Sequence, residues 1–431
     1  MGRCLGDKFA FGAGCILSMA AVFLASCKPS PPPPAPQPTP TPVPTPTPIP
    51  ALVRKPLPTA TLFNGLSLEA AVVAEPNGGL ASVERVDEDA YTVELTLRAR
   101  LPRPASTLED LKENDPTLPD VFPKLPELLE TASVSPFHKK FYELKTSDLR
   151  RRLSRLDAVL SRHNFYDCET MLELEDPETS RKALLVIADM DVNTDGSDGD
   201  RNVSVDGSSE FFLPQTSYRW PKQSERENPF LAEEVSRLES LQEELKSTEV
   251  KSSRTEEIKA GIDLAKRRIY DLKKWSFLVS AVDPFIVLPG FIMRDYNGPF
   301  VPEIGDYAIV FHNGAAYPAI LGDSGPSHKA GEASILICKE LNERASHYSR
   351  PVSGLKVSYL IFPGTGDDSS APPDLEKWHA TCKRLADEMG GLGVELHHWP
   401  NLVPPWPTPT PSPTPAPELV EDAGTQVGSH Q

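Results

Sequence analysis

The sequence predicts an α+β protein: a small, mostly antiparallel β-barrel with flanking helices and an inserted antiparallel helical hairpin. Three observations support this prediction. Many short apolar segments are bounded by turn residues, few of them are joined by a segment that could form a parallel crossover, and one highly charged stretch has the apolar spacing of two helices. Short strands joined by tight turns pair mainly with their neighbours, which favours a barrel over a parallel sheet.

Proline marks the limits of the folded part. The chain has 46 prolines in 431 residues, and most of the excess lies in two Pro/Thr-rich tracts, at 28–58 and 403–431. Such repeats favour extended polyproline II structure and cannot build a packed core. Residues 59–402 between them are numerous enough to bury a substantial core. We therefore predict a linker, one domain with an insertion, and a tail.

The first 27 residues have the pattern of an export signal. Two basic residues precede an apolar run over 9–24, which is short for a retained membrane span. The run ends in Leu-Ala-Ser-Cys27, which resembles the bacterial lipobox, whose cysteine receives a lipid. We expect a signal peptide over 1–27, lipidation at Cys27 and an extracytoplasmic protein attached to the membrane. Lys28 resembles the sorting signal for the outer membrane in a two-membraned cell.

The formal net charge is −17, which is the opposite of what a nucleic-acid-binding protein carries. A polycationic substrate fits this charge, because an acidic cleft raises the local concentration of a positively charged polymer. The alternative is that the acidic surface only keeps an exported protein soluble.

Three of the six cysteines lie in the first 27 residues, so the sequence has no disulfide-dense framework. A bridge between Cys338 and Cys382 is compatible with an oxidising compartment. Cys168 is expected to be a small buried residue.

The folded part begins with strand-like segments at 82–86 and 91–97, where apolar and polar side chains alternate. Prolines interrupt 107–131, which excludes one long helix there. A leucine stripe predicts an amphipathic helix over 147–162. The continuous apolar run at 183–188 predicts a buried strand.

Residues 223–274 form the predicted insertion. Apolar residues recur at helical spacing over 231–245 and again over 258–272, with a polar turn at 246–254. This pattern predicts an antiparallel helical hairpin with coiled-coil packing. Because strand-like sequence lies on both sides, we interpret it as a structural or partner-binding arm rather than a catalytic part.

A β-hairpin is predicted after the arm, with strands at 307–311 and 315–321. Asn313-Gly314 lies between them, and Asn-Gly is the strongest short signal for a hairpin turn. The other predicted elements of this half are strands at 277–282, 285–289 and 357–362 and helices at 334–344 and 374–389.

Two carboxylates follow the hairpin closely. Asp323 lies at the end of a predicted strand, and Glu332 immediately precedes a predicted helix. Glycines at 322, 325 and 331 allow the backbone to bend around both acids. Glycosidic hydrolysis needs two such carboxylates, one to protonate the leaving oxygen and one to attack or to activate water.

A second acidic segment runs through Asp189, Asp191, Asn193 and Asp195. Its alternating acids resemble a calcium loop, although Thr194 occupies the place of the EF-hand glycine. Two other interpretations stay open: Asp189 and Asp191 bind ammonium groups of a substrate, or the segment is a plain acidic turn. These four residues are weak calcium candidates, and we predict no cofactor.

The segment IVFHNGAAYPAILGDSGPSHKAGEAS resembles the hallmark of the family 75 chitosanases of the glycoside hydrolases. In that family an Asn-Gly hairpin leads to Gly-Asp-(Thr/Ser) and then to Gly-Glu-(Ala/Val)-Ser. Upstream, ADMDVNTDG is similar to the family's Asp-Met-Asp-Ile-Asp-Cys-Asp-Gly, with Thr194 in place of the cysteine, and Gln215-Thr216 and DPFIVLP match further segments. The resemblance covers about residues 183–345.

This resemblance implies that Asp323 and Glu332 are the catalytic pair. It also implies endo-hydrolysis of β-1,4-linked glucosamine in chitosan, or in a related amino-sugar polysaccharide, with inversion. Either carboxylate could be the acid. We further assign substrate binding to Asn313 and Tyr317, on the hairpin that leads into Asp323.

Two alternatives remain. Short strands and a Gly-Asp-Ser-Gly-Pro sequence also resemble double-psi-like barrels of wall-acting lipoproteins, which bind or cleave peptidoglycan. The anchor, the proline tracts and the arm together suggest a non-enzymatic surface module. The family's nine-residue spacing between Asp323 and Glu332 favours the hydrolase.

Overall fold

The computed structural model describes residues 67–74, 93–152, 162–246 and 252–406, with 67–74 and 93–100 described by their backbone alone. The signal peptide with Cys27, the linker over 28–58, the strand predicted at 82–86 and most of the tail lie outside the described residues. Within them, no helix combines the length and the apolar character that a bilayer crossing requires.

Twelve strands are present in this part of the chain. They are β1 Ser67–Ala74, β2 Val93–Arg100, β3 Ser133–Val134, β4 Cys168–Glu175, β5 Lys182–Asn193, β6 Arg219–Pro221, β7 Trp275–Phe277, β8 Phe285–Pro289, β9 Tyr307–His312, β10 Ala315–Gly325, β11 Glu332–Ser334 and β12 Val352–Ile361. The helices are α1 Leu108–Asn114, α2 Leu118–Val121, α3 Leu125–Leu129, α4 Pro136–Arg151, α5 Arg162–Phe165, α6 Leu231–Lys246, α7 Ser252–Lys274, α8 Phe291–Asp295, α9 Ile335–Leu341 and α10 Leu375–Asp387.

Six strands close into a barrel in the order β5-β12-β9-β10-β8-β11, and β11 pairs with β5 to complete the ring. Neighbouring strands are antiparallel except for two parallel pairs, β8 with β10 and β5 with β11. Strands β4 and β3 extend the sheet outward from β5. The predicted α+β class and mostly antiparallel barrel are confirmed.

Each barrel strand buries side chains on both of its faces. One apolar cluster receives residues from all six strands, as the filled interior of a small barrel requires. The alternate residues of β5, β9 and β12 belong to a second cluster, in which α1–α3 and α10 cover the outside of the barrel wall. Representative interior residues are Val186, Ile286, Val310, Leu321, Ala333 and Tyr359.

The cysteine bridge that the sequence allowed is absent. Cys168, Cys338 and Cys382 are all buried free thiols, as was expected only for Cys168. Cys338 belongs to the interior cluster and Cys382 to the outer one, so the barrel wall separates them. The Sγ atom of Cys382 instead lies 3.4 Å from the carbonyl oxygen of Ala308.

Local signals explain most element boundaries. The Asn313-Gly314 turn joins β9 and β10 with φ angles of 54° and 81°, which confirms the predicted hairpin. The helix predicted over 147–162 coincides with α4 only at 147–151, because α4 begins at Pro136, where Ser135 accepts the N–H of Phe137, and ends at Arg151. The predicted residues 153–161 lie outside the described part of the chain. Proline does divide 107–131, into the three short helices α1–α3.

Helices α6 and α7 lie between β6 and β7 in the chain, and these two strands pair antiparallel. Ion pairs join the two helices, from Arg268 to Glu234 at 2.8 Å and from Arg254 to Glu244 at 2.8 Å. The coiled-coil packing of this arm stays a prediction.

Candidate active site

The two candidate catalytic carboxylates lie on strands that flank β8. Asp323 of β10 and Glu332 of β11 are both in register with Val287 of β8, one on each side. Asp191 of β5 is in register with Glu332 on its other side. Cross-strand neighbours project from the same face of a sheet, so these residues form one row. The row lies on the outer face of the barrel, because Ile286 and Leu288 on either side of Val287 belong to the interior cluster.

This row is part of the wall of an open cleft with a volume of about 1040 Å³. Two aromatic side chains in the cleft are largely exposed, Phe211 at 81% and Tyr348 at 84%. The polar residues that line the cleft around the row include Asn193, Asp195, Gln215, Thr216, Ser217, Arg219, Asp271, Lys329 and Arg350.

Glycine is required at two points of the segment that carries both acids. A Cβ on Gly322 would lie 2.6 Å from side-chain atoms of Leu278 and Phe285. Gly331 has a φ angle of +76°, and a Cβ there would lie 1.9 Å from the carbonyl oxygen of Asp189. The backbone immediately before each acid is therefore packed too closely for any side chain, which fixes where both carboxylates emerge.

Asp323 is 8% exposed, and its Oδ1 atom accepts three hydrogen bonds. Ser217 donates its N–H at 2.9 Å and its hydroxyl at 2.6 Å, and Ser324 donates its N–H at 2.8 Å. Burial raises the pKa of Asp323, while these donors act in the opposite direction because they stabilise the ionised form.

Glu332 has only one hydrogen-bond donor among the described residues, the Asn193 side-chain amide, at 2.8 Å from Oε1. Burial, followed by the negative charges of Asp191 and Asp323, raises the pKa of Glu332 to about 7. The Asn193 hydrogen bond and the Lys329 ammonium oppose this shift. Glu332 is therefore suited to hold a proton near neutral pH.

Asp195 is a third carboxylate of the cleft, which sequence reasoning named only as a weak calcium candidate. Its Oδ1 atom accepts the N–H of Leu213 at 2.8 Å. Burial, together with the charges of Asp323 and Glu332, raises the pKa of Asp195 to about 7. Its place in the acidic segment was the available signal, but nothing in that spacing indicated that Asp195 lies close to Asp323 and Glu332.

The structure separates the two acids predicted to bind substrate ammonium groups. Asp191 lines the cleft, and its Oδ2 atom lies 2.8 Å from Nη2 of Arg350. Asp189 does not line the cleft. It is 1% exposed and binds Arg162 at 2.7 Å and the N–H of Gly354 at 2.9 Å.

Asn313 and Tyr317 also lie away from the cleft lining. Asn313 is in the hairpin turn, at the opposite end of β10 from Asp323. Tyr317 packs against His397 and Trp399, with ring centroids 5.2 and 5.9 Å apart. Strand β10 of the hairpin thus places Asp323 at the site, while the hairpin turn lies at the opposite end of this strand.

Among the described residues, no group of three or more His, Cys, Asp or Glu side chains is arranged to hold a metal ion. In the acidic segment, the carboxylates of Asp189 and Asp191 are already bound by arginine, and the Asn193 amide nitrogen binds Glu332. The side chains of this segment are thus engaged with other protein groups, which does not fit a calcium loop.

The comparison with known families agrees with this geometry. A family model described as fungal chitosanase of glycosyl hydrolase group 75 matches residues 190–398, a range that contains the whole row and the cleft acids. No curated protein matches the sequence. Residues 190–398 are therefore similar to glycosyl hydrolase group 75, and this match indicates that the protein is an enzyme, a glycoside hydrolase of the chitosanase type.

Proposed function

We propose that this protein cleaves β-1,4-linked glucosamine chains of chitosan internally and with inversion, using Asp323 and Glu332. The observation that carries this proposal is the register of both acids with Val287. Strands lie about 4.8 Å apart, so two residues flanking one strand have Cα atoms roughly 10 Å apart. Inverting enzymes keep their carboxyl groups about 6.5–9.5 Å apart to admit a water, and retaining enzymes about 5–5.5 Å. Cα atoms this far apart leave room for the wider spacing between the two carboxyl groups, which supports inversion.

The environments of the two acids support different roles. Glu332, with a pKa raised to about 7, is the general acid that protonates the leaving oxygen. Asp323 is the general base, because three donors on Oδ1 favour its ionised form. Among the described residues no donor binds Oδ2 of Asp323, so this atom is available to take a proton from the attacking water.

The cleft supports binding of an amino-sugar polymer. It is open at the surface, which suits internal cleavage of a long chain, and the net charge of −17 attracts ammonium groups. Asp191 is the predicted ammonium-binding residue that lines the cleft. The exposed rings of Phe211 and Tyr348 offer apolar surfaces for sugar faces.

The parallel pairs β8–β10 and β5–β11 support a double-psi-like path for the barrel. We also propose that the protein is exported and anchored by lipid at Cys27, with residues 28–58 as a spacer between membrane and enzyme. Radiolabelled palmitate should enter the wild-type protein in a bacterial host and should be absent from Cys27→Ala.

The activity is tested by incubating the purified protein with chitosan, chitin and peptidoglycan and separating the products. We expect glucosamine oligomers from chitosan. Proton NMR of the first products should show the α-anomer appearing before mutarotation. A first product with the β-anomer would contradict inversion, and release of fragments from peptidoglycan alone would establish the alternative substrate.

A further inference from the structure

Asn193 connects the general acid to the third carboxylate of the cleft. Its Nδ2 atom donates to Oε1 of Glu332 at 2.8 Å and to Oδ2 of Asp195 at 3.3 Å. Its Oδ1 atom accepts the N–H of Asp195 at 2.9 Å. An amide nitrogen has two hydrogens, and both are used here. Asp195 therefore fixes the Asn193 amide from two sides, and the amide in turn fixes one oxygen of Glu332.

This contact determines which oxygen of Glu332 carries the proton. Oε1 accepts a hydrogen bond from Asn193, so the proton of the neutral acid belongs on Oε2. Gly325 leaves space beside that atom, because even an added Cβ at this position would lie 3.6 Å from Oε2. An acid with its proton on a defined and uncrowded oxygen is oriented for donation to a glycosidic oxygen.

Burial, together with the charges around Glu332, explains why this side chain keeps its proton. Three other acids face it, namely Asp191, Asp195 and Asp323, and one cation, Lys329. Asp191 is paired with Arg350, which compensates part of its charge. The other cleft arginines are also engaged, Arg152 with Asp148 and Arg219 with Asp271. Asp195 and Asp323 have no cationic partner among the described residues, so each of them, once ionised, repels a negative charge on Glu332.

We propose that Asp195 is a positioning residue that, through Asn193, orients Glu332 and keeps it protonated in the resting enzyme. This inference rests on the proposed role of Glu332 as general acid. Asp195 does not touch the substrate in this scheme, and it differs in this respect from Asp323.

The test compares wild type with Asp195→Asn by two measurements. The first is the pH dependence of kcat/KM on a glucosamine hexamer. Removing the Asp195 charge lets Glu332 ionise more easily, so the alkaline limb should move to lower pH by about one unit. At pH 5, where the acid is protonated in both proteins, kcat/KM should fall by less than about tenfold.

The second measurement is ¹³C NMR titration of the Glu332 carboxyl without substrate, assigned by its loss in Glu332→Gln. The Glu332 signal should titrate at lower pH in Asp195→Asn. This measurement needs no turnover, so it stays informative if chitosan proves not to be the substrate. Asp271→Asn is the matched control, because it removes a cleft acid that is already paired with Arg219. In this variant the Glu332 signal should titrate at the same pH as in wild type.

An unchanged Glu332 titration in Asp195→Asn would overturn the proposal. Loss of activity at every pH, as complete as in Asp323→Asn, would also overturn it, because Asp195 would then be the base itself.

Discussion

The ammonium of Lys145 lies 3.0 Å from the carboxylate of Asp167, and both residues are nearly inaccessible to solvent. Lys145 also donates to the carbonyl oxygen of His328 at 2.7 Å, and Asp167 accepts the N–H of Ala330 at 3.2 Å. This ion pair therefore binds the loop that connects Asp323 to Glu332. Helix α4, which carries Lys145, precedes the part of the chain that matches the family.

We expect Lys145→Met to lower the free energy of unfolding by about 3–5 kcal/mol, because it leaves Asp167 buried without its cationic partner. Urea unfolding at pH 7 measures this loss. The double variant Lys145→Met/Asp167→Leu removes both charges and should recover much of the stability. A single variant as stable as wild type would show that the pair does not hold the loop.

Substitution of either proposed catalytic acid should remove activity and leave the fold intact. We expect Asp323→Asn and Glu332→Gln each to lower kcat on chitosan by about 10³-fold or more, because each removes one proton-transfer group. Reducing-end assays measure turnover and circular dichroism checks folding. Glu376→Gln, which changes an exposed acid on α10, is the control. Near-normal turnover in both active-site variants would reject the pair.

Gly331 offers a test of how the loop is built. Gly331→Ala should cost more than about 3 kcal/mol or displace Glu332, since its Cβ would collide with the backbone of Asp189. Gly364 also has a positive φ angle, +70°, but has no atom within 4 Å of an added Cβ. Gly364→Ala should therefore cost only about 1–2 kcal/mol, the strain of the left-handed backbone. Thermal unfolding and turnover of both variants distinguish a steric collision at residue 331 from backbone strain alone at residue 364. Equal losses of stability in the two variants would contradict the packing argument.

The exposed rings of the cleft should contribute to binding rather than to stability. Phe211→Ala and Tyr348→Ala should each raise KM for chitosan by about tenfold, equivalent to about 1.4 kcal/mol of binding, with kcat and thermal stability nearly unchanged. Tyr270→Ala is the matched control, because Tyr270 is 58% exposed on α7 and does not line the cleft. An equal effect in all three variants would exclude a specific role for the two rings.

The raised pKa of Glu332 has a consequence for stability. The pKa of Glu332 is about 7 in the folded protein and 4.5 for an unperturbed glutamate, so the folded state binds more protons between these two pH values. Wild type therefore loses this contribution as pH rises from about 4.5 to about 7. Glu332→Gln cannot ionise, so its stability relative to wild type should increase by about 2 kcal/mol between pH 5 and pH 8. Urea unfolding at both values measures this, with Glu376→Gln as the reference, and a constant difference would contradict it.

Local patterns predicted the elements that carry the site. The Asn313-Gly314 turn, the apolar run within β5 and the glycines around Asp323 and Glu332 are signals encoded in adjacent residues, and the structure has the corresponding hairpin, strand and bends. The pairing of distant strands was not predictable in this way. The shared register of Asp323 and Glu332 with Val287 depends on barrel closure, which brings together residues far apart in the chain.

Tertiary contacts also explain why acids of one sequence segment have different surroundings in the structure. Asp189 and Asp191 are equivalent in sequence, yet Arg162 and the backbone at Gly354 enclose the first, while the second faces the cleft. Asp195 joined the site because Leu213 and Asn193 hold it beside Glu332. Periodicity gives the face of a strand, but the partners that surround a side chain come from tertiary contacts.

The arm leaves the β6–β7 ribbon after Pro221 and returns to it at Trp275, and these two residues are paired neighbours. Departure and return thus share a single point on the surface, so the end of α6 and the beginning of α7, far from this ribbon in the chain, can be lengthened, shortened or exchanged without moving a barrel strand. That arrangement makes this position a natural place to graft another module, such as a carbohydrate-binding peptide, beside a working hydrolase.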